Sequence, residues 1–200
     1  MILLLLMTEV EGHPLIFERA IRNLGALFRI FFGRDSNNTT KAQEAQRWTP
    51  HATVATIVEK EGKFLLVEER RLINEQGDFG IVYNQPAGHV DEGESIMAAA
   101  VRETLEETRW QVEIKHLIGI YIFTAPANGV TYHRYCFAAQ AIQHQANNQL
   151  DDGILDAKWF SWEEIQQLDN LRSPLVKRCL QDHINGKQYP LDLIYEHDHS

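Results

Sequence analysis

Three glutamates, Glu103, Glu106 and Glu107, lie close together in the segment GHVDEGESIMAAAVRETLEETRW, residues 88–110. If this segment is helical, positions separated by three and four residues share a face, so the three carboxylates project together. Like charges at these spacings repel, and the negative end of the helix dipole adds to the cost near the C-terminus. Carboxylate oxygens are the ligands that Mg²⁺ and Mn²⁺ prefer, so the spacing indicates a divalent cation site; a solvated acidic face is the alternative.

The residues around the three glutamates favour the cation site. Arg102 adjoins the cluster and can orient one carboxylate through a charge-assisted hydrogen bond. Glu94 lies eight residues before Arg102 and can reach it if the intervening loop folds back. Gly88 and Gly93 bracket a loop that can bring backbone carbonyls close to an ion. A purely solvated face needs none of these features.

The elements that position these residues follow from the alternation of apolar and polar positions. Strands with interspersed helices indicate an α/β domain with a mixed sheet. Ser95 can cap the acidic helix and Ser161 a later one, while Glu61 and Gly62 can form a tight turn between two strands. The predicted strands are 51–60, 62–70, 111–125, 131–143 and 156–162, the predicted helices are 95–109, 161–168 and 173–186, and 73–80 is predicted as a loop.

The spacing of the acidic segment resembles the Nudix box. The matching positions are Gly88, Glu94, Arg102, Glu103, Glu106 and Glu107. One position departs from the pattern, because Arg109 stands where the box ends in Gly. The resemblance implies an α/β/α sandwich with a central mixed β-sheet, and hydrolysis of a nucleoside diphosphate that is linked to another moiety.

The resemblance also implies a role for each residue of the box. Arg102 would orient Glu103, the most sensitive catalytic residue, and Glu94 would hold Arg102. The expected cofactor is Mg²⁺, for which Mn²⁺ can substitute. The implied metal ligands are Glu103, Glu106, Glu107 and a backbone carbonyl near Ala87.

The general base has two alternatives in the sequence. Glu107 can activate a metal-bound water. Asp151 or Asp152 can do so from a loop that precedes a predicted strand. The loop carboxylates are also typical of an acidic turn without a catalytic role.

Candidate substrate contacts come mainly from the predicted strand TYHRYCF, residues 131–137. Alternation with period two puts His133 and Tyr135 on one face and Tyr132 and Arg134 on the other. One of these pairs can meet a phosphate group or a heteroaromatic ring; a strand with a polar outer face is the alternative. Two further candidates, His51 and Gln85, lie near strand ends. The complete candidate set is His51, Gln85, His133, Arg134 and Tyr135.

Stretches outside the box narrow the expected activity. Residues 51–69, 84–89 and 171–194 resemble a group of bacterial phosphatases within the Nudix family. That resemblance implies release of phosphate from nucleoside di- and triphosphates and from thiamine-type pyrophosphates. The alternatives are a MutT-like nucleoside triphosphate pyrophosphohydrolase, which releases pyrophosphate, and a noncatalytic Nudix domain that senses a ligand. Sensor domains commonly lose box carboxylates, and this chain keeps all four.

The composition limits the partners. The chain has 200 residues and a net charge of -9, which argues against broad binding to nucleic acid. Two cysteines without a CxxC motif fit a reducing compartment. We therefore expect a cytoplasmic monomer that acts on a phosphorylated small molecule.

The N-terminal residues 1–47 are predicted to be an extension of a hydrolase domain that spans 48–200. Residues 14–34 carry apolar side chains at helical spacing with arginines between them, and 36–47 is a polar linker. A basic amphipathic helix can lie on a membrane surface, pack on a domain or partner, or arise from a wrongly assigned start. We favour a dispensable appendage over membrane contact.

Overall fold

The computed structural model describes residues 48–72 and 77–197. The N-terminal extension, the amphipathic pattern at 14–34 and the linker at 36–47 lie outside the described residues. The strands are β1 His51–Lys60, β2 Lys63–Leu72, β3 Phe79–Asn84, β4 Ala87–His89, β5 Trp110–Thr124, β6 Thr131–His144 and β7 Ile154–Ser161. The helices are α1 Ile96–Thr108, α2 Trp162–Gln167 and α3 Leu175–Ile184, followed by a 3-10 turn at Leu191–Leu193.

Strand β1 is the centre of the sheet. It pairs in parallel with β6 and antiparallel with β2 and β4. Beyond these neighbours, β5 pairs antiparallel with β6, and both β3 and β7 pair antiparallel with β2. The sheet is therefore mixed, which confirms the predicted α/β class.

The two faces of the sheet pack against different helices. On one face, Val54 of β1 and Phe137 of β6 are buried with Ala100 of α1. The opposite face packs against α3 through a cluster that includes Ala55, Ile57, Cys136, Val176, Cys179 and Leu180. Helix, sheet and helix form the three layers expected of an α/β/α sandwich.

Helix α1 begins at the predicted cap, Ser95, and lies close to the sheet. The Ser95 side chain accepts a hydrogen bond from the Ala98 N–H at 3.0 Å, which satisfies one of the free donors at the helix start. Ala99 and Ala100 are fully buried, and their small side chains let the helix lie close to β1. Thr56 Oγ1 donates to the Ala100 carbonyl at 3.3 Å across this contact.

The segment between β2 and α1 differs from the prediction. The predicted loop at 73–80 is wrong at Phe79 and Gly80, which begin β3, and the strand β4 was not predicted. The turn-forming residues Gly80, Pro86 and Gly88 hide the short strands from a pattern analysis. Both strands are held by long-range pairing, β3 with β2 and β4 with β1.

The C-terminus of α1 is closed by Arg109 in a left-handed conformation, with φ 62° and ψ 9°. The Arg109 N–H donates to the Leu105 carbonyl at 2.8 Å. Two further carbonyls accept from a downstream loop: Glu106 from the Asp151 N–H at 3.0 Å and Arg109 from the Gln145 N–H at 2.7 Å. The acidic helix and the loop that carries Asp151 are thus joined through their backbones.

None of the helices in the described part of the chain has the length and apolar composition needed to span a bilayer.

Candidate active site

Arg102 is the centre of the polar network on α1. Its guanidinium grips Glu94 with two hydrogen bonds, Nε to Oε1 and Nη2 to Oε2, both 2.8 Å long. Nη1 donates to Glu103 at 2.9 Å and to Glu106 at 3.1 Å, and Nη2 donates to the His89 carbonyl at 3.0 Å. These contacts, with Glu94 as the largest cause, raise the pKa of Arg102. The structure thus brings Glu94, Arg102 and Glu103 together in the order that the sequence predicted.

Gly88 provides the space for Glu103. In strand β4, Gly88 pairs with Val54 of β1, and its backbone does not have a positive φ. A Cβ atom added at Gly88 would overlap the carboxylate group of Glu103. The glycine is therefore required for the close approach of a carboxylate, and its conformational freedom is not used.

Glu107 is the most strongly perturbed of the three glutamates. It is only 8% exposed, and its Oε2 accepts the Ala87 N–H at 2.8 Å. Burial raises the pKa of Glu107 to about 8 against the effect of that hydrogen bond, and the charges of Glu103, Glu69 and Asp151 raise it further. A bound cation would offset this negative charge and favour the ionised carboxylate.

Glu103 has a similar but weaker perturbation. It is 9% exposed, and burial raises its pKa while the hydrogen bond and charge of Arg102 oppose the shift. Glu106 and Asp151 add further negative charge nearby. Crowded carboxylates that are partly desolvated are the chemical environment expected where a divalent cation binds.

The oxygen donors of the three glutamates fit a divalent cation bound in an open site. Among residues 48–72 and 77–197, no group of three or more His, Cys, Asp or Glu side chains has the geometry to hold a metal ion by itself. Arg102 and the Ala87 N–H hold the carboxylates instead. Mg²⁺ usually binds through one or two carboxylates and completes its shell with water and substrate phosphate, so hard oxygen donors without a closed cage suit it.

Asp151 lies beside the box and Asp152 follows it. The Asp151 N–H is bonded to the Glu106 carbonyl at 3.0 Å, and the Asp151 charge acts on both Glu103 and Glu107. The Asp152 N–H donates to Asp151 Oδ1 at 2.8 Å, and both aspartates are exposed. The structure therefore places one of the two loop candidates within the electrostatic reach of the glutamates.

Comparison with known proteins agrees with this geometry. A family model described as NUDIX domain matches residues 48–179. This chain belongs to the Nudix family. It is therefore a hydrolase of pyrophosphate bonds, as the sequence resemblance implied.

Comparison with individual relatives shows which Nudix proteins this domain is similar to. It is 40% identical over 145 residues to proteins named Phosphatase NudJ from Escherichia coli K12 and Shigella flexneri, a match that covers 72% of this chain and 90% of the relative. A solved structure of a Nudix hydrolase from Nitrosomonas europaea is 42% identical in sequence to this chain. The match covers 76% of this chain and 100% of that protein, and the two structures superimpose with a TM-score of 0.71. The predicted Nudix-type sandwich is confirmed.

The remaining substrate candidates of the Nudix domain divide between the two faces of the sheet. On β1 and β6, His51 pairs with Tyr132 and Thr53 pairs with Arg134, and the His51 and Tyr132 rings lie 5.6 Å apart. His51 and Arg134 therefore share the face that packs against α3. Tyr135 packs on the other face, under α1, and alternation puts His133 on that face with it.

Gln85 does not have the position predicted for it. It was expected to line the substrate cleft, but it is fully buried and its Nε2 donates to the Val176 carbonyl at 2.9 Å. Its amide group holds the end of β3 against α3. Proximity to a strand end did not determine which way the side chain points.

Glu69 and His89 were not singled out from the sequence as parts of the site, and Arg172 was not among the substrate candidates. Glu69 on β2 forms an ion pair with Arg172, and its charge acts on Glu107. His89 Nε2 lies 3.3 Å from His51 Nδ1, which places an imidazole pair next to the carbonyl that Arg102 binds. Recognising Glu69 and Arg172 required a contact across 103 residues, and recognising His89 required the pairing of β4 with β1.

Proposed function

We propose that this chain is a Mg²⁺-dependent Nudix hydrolase that releases phosphate from nucleoside di- and triphosphates and from thiamine-type pyrophosphates, with Mn²⁺ able to substitute. The observation that carries the proposal is the set of three crowded carboxylates that Arg102 and the Ala87 N–H hold on one face of α1. The choice of phosphate as product is supported by the 40% identity to Phosphatase NudJ.

In this proposal the residues of α1 hold the cation and the scaffold holds those residues. Glu103, Glu106 and Glu107 are the ligands, helped by the backbone carbonyl near Ala87. The bound cation would neutralise phosphate charge, polarise the phosphoryl oxygens and lower the pKa of a water molecule. Arg102 fixes the carboxylates before the substrate arrives, so little reorganisation is needed during the reaction.

Two side chains are proposed to accept the proton of the attacking water. Glu107, on α1, would lie next to a water molecule bound by the cation. Asp151 is exposed on the loop bonded to α1. An Asp151→Asn variant with normal turnover would leave Glu107 as the base. A variant that binds Mg²⁺ normally but turns over slowly would assign the role to Asp151.

The proposal also includes the cell compartment and partners. The buried free thiols of Cys136 and Cys179 suit a reducing cytoplasm. The net charge of -9 disfavours nucleic acid as a ligand and leaves phosphorylated small molecules, which a cation can bridge to an acidic protein. We propose a monomer.

The test is a screen for Mg²⁺-dependent turnover across thiamine pyrophosphate, nucleoside di- and triphosphates and dinucleoside polyphosphates, with phosphate and pyrophosphate measured separately. Phosphate as the product is the expected result. Pyrophosphate from nucleoside triphosphates would favour the MutT-like alternative. If no compound were hydrolysed by the wild type, while Mg²⁺ still bound, the noncatalytic sensor would replace the proposal.

A further inference from the structure

The guanidinium group of Arg134 has one nitrogen that no described residue satisfies. Arg134 lies on β6, where its neighbours on the two flanking strands are Thr53 and Tyr121. Its Nη1 is buried and has no hydrogen-bond partner among the described residues. The groups beside it include the thiols of Cys136 and Cys179, which are weak acceptors. A buried donor of a charged group without an acceptor is destabilising, so its retention calls for a physical reason.

A second cation stands close to Arg134. Arg172 lies just before α3, where its N–H donates to the Tyr83 carbonyl at 2.9 Å. Burial is the main cause that lowers the pKa of Arg134, and the like charge of Arg172 lowers it further, while Glu107 and the thiols oppose the shift. The two guanidinium groups are therefore close enough to act on each other, and Glu107 of the box acts on Arg134 as well.

The segment of Arg172 retains unused donors. Its Nη1 is paired with Glu69, but a guanidinium carries five N–H donors, so others remain for a ligand. The next residue, Ser173, also has a buried hydroxyl without a hydrogen-bond partner in the described part of the chain. Arg172, Ser173 and Arg134 thus offer hydrogen-bond donors but few acceptors.

We propose that Arg134 and Arg172 form a phosphate-binding pocket, which takes a phosphate group of the pyrophosphate substrate. Phosphate oxygens match the planar fork of a guanidinium and would supply the acceptor that Arg134 Nη1 lacks. The anion would also remove the repulsion between the two arginines. The inference rests on the proposed function, because it assumes that the substrate is a pyrophosphate compound.

Binding of inorganic pyrophosphate to the full chain in EDTA tests the pocket without turnover. The expected result is that the wild type binds and that Arg134→Met and Arg172→Met each weaken binding roughly tenfold or more, the size of a lost hydrogen bond to a charged group. Arg178→Met is the matched control, because Arg178 is an exposed arginine of α3 whose Nε pairs with Asp182 at 3.0 Å. It should leave the affinity within about twofold.

Several outcomes would overturn the pocket. They are no binding by the wild type, unchanged affinity in both arginine variants, or an equal loss with Arg178→Met. Arg134→Lys guards against misfolding, since it keeps the charge and removes the fork; its affinity should fall between those of the wild type and Arg134→Met. A parallel loss for inorganic phosphate shows that one phosphoryl group suffices, and a loss confined to pyrophosphate shows that both are held.

Measurements of turnover distinguish the phosphate-binding pocket from the proposed hydrolase function. With Mg²⁺ present, Arg134→Met should raise KM more than it lowers kcat, as expected when binding to substrate and transition state is lost together. A purely structural arginine would lower thermal stability and leave the pyrophosphate affinity of the folded protein unchanged. Pyrophosphate binding by a wild type that hydrolyses nothing would keep the pocket and remove the proposed function.

Discussion

The acidic face of α1 and the pair of Arg134 and Arg172 each gather charges of one sign. They differ in whether the protein supplies hydrogen-bond partners for those charges. Each glutamate of the box accepts a hydrogen bond from the protein itself, Glu103 and Glu106 from Arg102 and Glu107 from the Ala87 N–H. Arg134 Nη1, in contrast, has no acceptor in the part of the chain that the structure describes. The first region is organised before any ligand arrives, and on our proposal a substrate phosphate completes the second. Changes to the first should therefore remove chemistry, and changes to the second affinity.

Glu103→Gln should give the largest effect. The amide keeps the shape but removes the charge, so Mg²⁺-dependent turnover should fall by on the order of 10²–10³-fold, as for other single electrostatic groups in active sites. Pyrophosphate binding in EDTA should persist, because the arginine pair is untouched. Glu113→Gln is the control, since Glu113 is an exposed carboxylate paired with Lys115 at 2.8 Å. Near-normal turnover of Glu103→Gln would erase the distinction between the two regions.

Gly88→Ala should have the next largest effect. The added Cβ overlaps the Glu103 carboxylate and must displace it, and a shift of about 1 Å in a catalytic group can cost on the order of 10²-fold. In a Glu103→Gln background the same change should add little, because both act through one side chain. Steady-state kinetics of the two single variants and the double variant measure this coupling. Additive losses would show that Gly88 acts through something else.

Arg102→Lys tests how the acidic face is organised. A lysine is a point charge with three donors and cannot hold Glu94 with two bonds while also reaching Glu103 and Glu106. Turnover or Mg²⁺ affinity should fall by about 10–100-fold, the usual effect of losing a group that orients a metal ligand. Arg178→Lys is the control, because Arg178 is an exposed side chain of α3. Full activity of Arg102→Lys would mean that charge alone organises the face.

The pH dependence of stability should reflect the ionisation of the Glu107 side chain. Its pKa rises from an ordinary 4.5 to about 8 on folding, so the folded state holds a proton that the unfolded state has lost. In EDTA the contribution of Glu107 to the free energy of unfolding should therefore decrease as pH rises from about 4.5 to about 8. Denaturant titrations across this range measure the slope. Glu107→Gln should flatten it, and Mg²⁺ should reduce it; an unchanged slope in the variant contradicts the assignment.

Arg109→Gly should have the smallest effect. A non-glycine residue at φ 62° is strained by roughly 1 kcal/mol, so glycine should raise Tm by about 2–4 °C without changing turnover. Glu61→Gly is the matched control, because Glu61 has φ 53° in the β1–β2 turn, which lies outside the box. A large loss of activity with Arg109→Gly alone would make Arg109 part of the active site.

The acidic cluster could be predicted because Glu103, Glu106 and Glu107 lie on one helix, where spacing alone determines which residues share a face. The contact of Arg102 with Glu106 follows from that local geometry, whereas its contact with Glu94 also requires the preceding loop to fold back. The alternation of residues along β6 was equally local, and it correctly separated Arg134 from Tyr135.

Residues that depend on strand pairing could not be predicted in the same way. Glu69 and Arg172 meet across 103 residues, and His89 reaches His51 only because the three-residue strand β4 pairs with β1. The error at Gln85 has the same origin, since the fold around it decides whether a strand end faces a cleft or a helix.

The backbone hydrogen bonds at the end of α1 allow the opening of its last turn to be measured in solution by amide hydrogen exchange. The amide protons of Gln145 and Asp151 are held by the carbonyls of Arg109 and Glu106, so they should exchange with solvent only when the last helical turn opens. A cation held by Glu106 and Glu107 should slow that opening. The exchange rate of the Asp151 amide would then follow metal occupancy in an enzyme at rest, with neither substrate nor turnover.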